Sequence, residues 1–222
     1  MIDQDQIDLI LSIVENPVRR KLIKRLSQEP SYSLELSKEL GMGQQLIAAH
    51  LGIMEKNGFL GSVLKTSPVG PSRKVYFLKK SVCLSVGFGP HLYGEQILSF
   101  DTLPSDISLE AEKLIGKIKS IRKSSKHGSK IISFSDLISD IDSRLNDVEA
   151  EKAVLLYIRN LAMKHASETM GITEKTHEER RVLHYVLDER SQNVEAIAAA
   201  LNLRESVVRG ILHSMKEELP EM

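Results

Sequence analysis

From residue 134 to residue 169 the chain runs for 36 residues without a proline or a glycine. Within that run Ile138, Ile141, Leu145, Val148, Lys152, Leu155, Arg159, Ala162 and Ala166 recur at alternating three- and four-residue steps. Such spacing brings a side chain back to one face of a helix on every turn, so the segment predicts one long helix with a seam along it. Two of these positions are basic, which makes the heptad pattern imperfect. Pairing with a second copy and packing on the chain's own helices both account for it.

The residues before this helix read as shorter helices followed by strands. Ile7, Ile10, Leu11 and Val14 mark an amphipathic helix over about 5–15. Asn16-Pro17 restarts the chain, asparagine as N-cap and proline at the first helical position, and Val18, Leu22 and Leu26 form the buried stripe of a second helix. A third helix follows Ser33, with Leu36 and Leu40 inward, and Gly41 closes it. A fourth runs from about Gly43 to Asn57 on Ile47, Leu51 and Met54, and Asn57-Gly58 stops it because glycine accepts the left-handed conformation. Strand-like runs at 59–66 and 73–80 flank the turn Ser67-Pro68-Val69-Gly70-Pro71-Ser72, and a third strand is expected over 82–88. A basic helix on Leu114, Ile118 and Ile121 follows, broken at Lys126-His127-Gly128-Ser129.

The chain also resembles itself. Leu36 to Met42 aligns with Ile197 to Leu203 at an offset of 161 residues, and the register continues to place Ile47 on Val208 and Leu51 on Leu212. Each copy reads as helix, tight turn at Gly41 or Asn202, and helix, with a small residue (Ser37 or Ala198) where the helices meet. Only the first copy is followed by two strands and a basic turn, the combination that makes a winged helix.

On these residues the segment 8–80 resembles the winged-helix domain of ArsR-type transcriptional regulators, in the version common among archaea. The matching text is Asn16-Pro17-Val18-Arg19-Arg20, Leu36-x-x-x-Leu40-Gly41, Gln44-Gln45-x-x-x-x-His50-Leu51-x-x-Met54-Glu55-x-x-Gly58-Phe59-Leu60, and a wing with Gly70-Pro71-x-Arg73-Lys74-x-Tyr76. It covers about a third of the chain. Metal-sensing members use cysteine pairs or His/Asp clusters, whereas this chain has the single Cys83. The position before His50-Leu51, often basic in the family, is Ala49.

The resemblance implies that the fourth helix lies in the major groove of double-stranded DNA with its first residues at base edges. A glutamine amide presents donor and acceptor side by side, so Gln44 and Gln45 suit adenine N6 and N7, and Ala48 and Ala49 admit close approach and thymine methyls. His50 reads either as a phosphate donor or as a core histidine. Lys65, Arg73 and Lys74 flank the wing turn, in reach of phosphates or the minor groove, and Arg19 and Arg20, with Lys24, offer further phosphate contacts. A solvated surface is the alternative for Gln44, Gln45 and the wing cations, and for Arg19, Arg20 and Lys24 it suits equally well. Net charge is zero, but residues 16–80 hold twelve Lys/Arg against four Asp/Glu, which places one basic region in a neutral molecule. Aromatics are 5% and tryptophan is absent, against a stacking platform for single strands.

Other chemistry has little support. His177, His184 and Asp188 fall on one helical face but among charged neighbours that favour solvation, so neither a metal nor a cofactor is expected. No glycine-rich phosphate loop, G-x-S-x-G elbow or H-E-x-x-H occurs, and no enzymatic activity is expected. With no run of about 18 apolar residues and an acidic start, no membrane contact and a cytoplasmic location are expected. The expected architecture is mainly α with a small β-wing. Residues 1–98 form the winged helix with an extra strand, 99–108 a linker, 109–170 long dimerising helices, and 171–222 a helix-turn-helix-like bundle that meets a partner protein or a second copy. The expected function is that of a homodimeric, sequence-specific regulator of transcription. The alternative is a protein-interaction module that does not touch DNA.

Overall fold

A computed structural model describes residues 4–66, 71–123, 127–169 and 175–215. Helices α1 (Gln4–Val14) and α2 (Pro17–Leu26) precede a two-residue strand β1 (Ser31–Tyr32), α3 (Ser33–Leu40) and α4 (Gln44–Lys56). Strands β2 (Leu60–Lys65) and β3 (Arg73–Leu78) make the wing, and β1 adds antiparallel to β3, giving the sheet order β1-β3-β2. Strands β4 (Val82–Gly89) and β5 (Leu92–Ser99) form a separate pair. Then follow α5 (Leu109–Lys123), α6 (His127–Thr169), α7 (His177–Glu189), α8 (Val194–Leu201) and α9 (Glu205–Ser214).

Two compact units result, Met1–Gly87 with Gly94–Ile107, and Phe88–Tyr93 with Ser108–Met222. The first is a winged helix. Its turns use the local chemistry anticipated: Asn16 Oδ1 accepts from the Val18 amide at 2.9 Å, and Gly41 sits at φ 64° where a side chain would be strained. Ile10, Ile13, Leu22, Leu36, Ile47, Leu51 and Met54 close its core. Two strands were missed. β1 is too short to show an alternation, and β5 is interrupted by Gly94, Glu95 and Gln96. Residues 99–107, read as a linker, belong to the first unit, where the Phe100 amide donates to Ser81 O at 3.0 Å.

The second unit repeats the first more deeply than the sequence reading held. At the same offset of 161, α7, α8 and α9 correspond to α2, α3 and α4, so that Leu183, Ile197, Val208 and Met215 occupy the core places of Leu22, Leu36, Ile47 and Met54. Even the turn is reproduced, with Met42 N–H donating to Ser37 O and Leu203 N–H to Ala198 O, both at 3.0 Å. Asn202 takes the left-handed conformation of Gly41.

Helix α6 is 43 residues long and begins at His127, earlier than the Pro/Gly-free run, with Gly128 tolerated in its first turn. Among its described residues it buries Leu137, Met163 and Ser167, and neither core cluster draws on it. Ile138, Leu145, Val148 and Leu155 are each more than half exposed. Arg159 is not part of that face: its guanidinium donates to His91 O at 3.0 Å and pairs with Asp188 of α7.

Candidate nucleic-acid interface

Helix α4 is divided lengthwise by burial. Ile47, Leu51 and Met54 are wholly enclosed, which fixes the helix in the domain, while Gln44, Gln45, Ala48 and Ala49 are all exposed. Gly43 at the N-cap offers no side-chain bond, so the first-turn amides stay open toward solvent, as an approaching phosphate requires. Around Gly52 no atom other than its chain neighbours and the helix's own nearby backbone lies within 4 Å of where a Cβ would stand, so the exposed face stays low along Ala48, Ala49 and Gly52.

His50 lies between the two faces. It is half-buried, its Nδ1 has no hydrogen-bond partner, and burial, with a smaller push from the Arg19 charge, holds its pKa below the usual histidine range. The ring is therefore neutral at neutral pH, which weakens it as a phosphate donor.

The wing brings cations together. In the β2–β3 ladder Lys65 stands opposite Arg73 and Leu64 opposite Lys74, and all four are exposed. Like charges directly opposite destabilise a sheet. Arg73 finds partial relief with its guanidinium 4.8 Å above the Tyr32 ring of β1. Lys74 is neutralised, its Nζ 2.7 Å from Glu55 Oε2, and that bond, followed by one from Ser62, holds the Glu55 carboxyl below its usual range. Among the described residues, Lys65 and Arg73 are the cations of the wing base without a carboxylate partner. Of the turn between the strands, Ser67 to Gly70 lie outside the described residues.

Two expected phosphate ligands are occupied elsewhere. Arg19 is buried, its Nε donating to Ile13 O at 2.8 Å and its Nη2 to Ser12 O at 2.5 Å, so it caps the C-terminus of α1. Arg20 is exposed but donates from Nη1 to Val14 O at 2.5 Å and Glu15 O at 2.7 Å. The basic Asn-Pro-Val-Arg-Arg run therefore ties α1 to α2 where the sequence pointed to DNA. Arg19→Ala should cost about 1.5–3 kcal/mol, the range for hydrogen bonds to charged groups. Faster amide exchange in α1, without a change in the salt dependence of any DNA binding, is the expected readout.

In the second unit Arg204 and Arg209 are exposed on and beside α9, with Glu205 between them, while Glu217 and Glu218 lie outside the described residues. His177, His184 and Asp188 do not converge. His184 stacks on His91 with ring centroids 5.1 Å apart, and burial followed by the His91 charge lowers its pKa. Asp188 is engaged by Arg159. Among the described residues no cluster of three His, Cys, Asp or Glu could hold a metal ion, and no helix is long and apolar enough to cross a membrane. Tyr32 and Glu55, which decide the fates of Arg73 and Lys74, were not foreseen, because both act through strand register.

Residues 16–62 match the family model described as bacterial regulatory protein, arsR family. No curated protein is significantly similar to the chain. A solved structure from Enterococcus faecalis V583, described as a transcriptional regulator of the MarR family, is 28% identical over 36% of this chain and 71% of its own, with a TM-score of 0.32. The segment 16–62 therefore carries an ArsR-type helix-turn-helix, completed by β2 and β3 into a winged helix.

Proposed function

We propose that this ArsR-type winged helix makes the chain a homodimeric, sequence-specific regulator of transcription that grips duplex DNA through α4 and the base of its wing. The observation that carries the reading is the exposure of Gln44, Gln45, Ala48 and Ala49 together with a ladder that sets Lys65 against Arg73. A phosphate placed between the two cations would relieve their repulsion, and an open α4 N-terminus would seat in the major groove beside it. Two-fold pairing through α6 would place two copies of α4 about 34–36 Å apart on a palindrome. The reading assigns the chain no catalytic step, and it leaves the α7–α9 bundle for contact with a partner protein or the second copy.

Anisotropy of a labelled random duplex against salt tests the central claim. Log affinity should fall linearly with log salt by about 0.9 per phosphate neutralised. Arg73→Ala should flatten that slope by about one unit and weaken all duplexes alike. Gln44→Ala with Gln45→Ala should instead relax the preference among selected genomic fragments while sparing the slope. A chain that binds no duplex at low salt would sink the proposal in favour of protein interaction. That second reading has its own observation, since Leu46 and Ile53, seven residues apart on α4, are 47% and 42% exposed.

A further inference from the structure

Within the first unit, α1, α2 and the chain from β3 into β4 border a half-open cavity of about 810 Å³. We propose that it binds a small amphipathic organic anion, an apolar body carrying one carboxylate-like head. Its walls are built from Ile10, Ile23, Leu26, Phe59, Leu78 and Leu84, and three of these also belong to the domain's core cluster. The space therefore opens onto the core itself. Its size falls within the about 300–1,000 Å³ usual for small-molecule sites. Phe100 lines it and is nonetheless 66% exposed, an aromatic ring held where a ligand would cover it.

The charges select the head group. Lys79 and Lys80 both line the cavity, and Lys80 Nζ stands 4.9 Å from the centroid of Phe59, an apolar wall residue. Glu29 is the carboxylate among the lining residues, and Arg25 already pairs with it at 2.8 Å. Nearby Asp101 accepts from the Ser81 amide at 2.9 Å and the Ser99 hydroxyl at 3.1 Å, and keeps a negative charge that also attracts Lys80. What remains for a ligand is a greasy chamber with two lysines in its lining and no carboxylate there except Glu29, already paired with Arg25. No residue of α3 or α4 takes part, so an occupant leaves the exposed face of α4 uncovered.

Calorimetry of the full chain with decanoate and with decyltrimethylammonium, below their micelle concentrations, tests this without DNA. The two probes share a tail and differ in the sign of the head. Decanoate should saturate one site per chain and bind at least about tenfold tighter than the cation, as charge-assisted bonds imply. Lys79→Gln with Lys80→Gln should abolish that preference, and Phe100→Asp, a change at an exposed position, should weaken decanoate by about tenfold or more. Thermal melting confirms that each variant is folded. The proposal falls if decanoate shows no saturable binding, if both probes bind wild type equally, or if the folded double lysine variant keeps its preference. Because the readout is heat of ligand binding, its failure is separate from any failure to bind duplex DNA.

Discussion

Replacing Leu145 and Leu155 together by aspartate is expected to convert the proposed dimer into a monomer. Both side chains lie on α6, exposed by 59% and 58%, on a helix that buries little against its own chain. A seam of this length that stays in water loses about 1.5–3 kcal/mol for each large aliphatic residue it fails to bury. Two-fold symmetry counts every substitution twice, so four lost leucines remove at least about 6 kcal/mol, or about four orders of magnitude or more in dimer affinity. Aspartates facing one another across the seam add the cost of unpaired buried charge. Light scattering should report the monomer mass, with the circular dichroism of the helices largely kept and duplex affinity reduced through loss of the second half-site. A double variant that stays dimeric would move the interface away from α6, and the two-fold operator geometry would then have to rest on another element.

Much of this molecule is legible where the signal is local. Asn16-Pro17, Gly41 and Asn57-Gly58 each fix a helix boundary through the conformation of one or two residues, and the structure has all three where the sequence puts them. The repeat was legible in part. Apolar spacing gave α8 and α9 against α3 and α4, but Leu183 against Leu22 was overlooked because the caps differ, Asn16 in one copy and Thr176 in the other. What stayed hidden depends on backbone groups or on register. Nothing in a sequence shows that the partners of Arg19 are the carbonyls of Ser12 and Ile13, since every residue has a carbonyl. Lys74 looked as free as Arg73. Only the β2–β3 ladder brings that lysine, nineteen residues after Glu55, to a carboxylate and leaves its neighbour to a tyrosine ring. Likewise Arg159 reads as a fault in the α6 heptads until Asp188 and His91 O are seen to claim it.

That register is also what makes Lys65→Glu informative, because its two effects should have opposite signs. In the protein alone, Lys65 faces Arg73 across the ladder, both exposed, with the repulsion eased by Tyr32. Glutamate at 65 would turn a like-charged pair into an attractive one, and cross-strand pairs of this kind are worth about 0.2–1 kcal/mol. Amide exchange in β2 and β3 should therefore slow. Duplex binding should move the other way. A phosphate seated between Lys65 and Arg73 would lose one cation and meet an anion in its place. At partly screened surface distances that reversal amounts to about 2–3 kcal/mol, about a hundredfold in affinity at low salt. Lys65→Met should fall between wild type and Lys65→Glu on both measurements, which separates charge from packing. A wing residue kept only for solubility would give the first effect without the second. If Lys65→Glu steadies the ladder and leaves duplex affinity untouched, the wing base does not touch DNA, and contact would then rest on α4 alone.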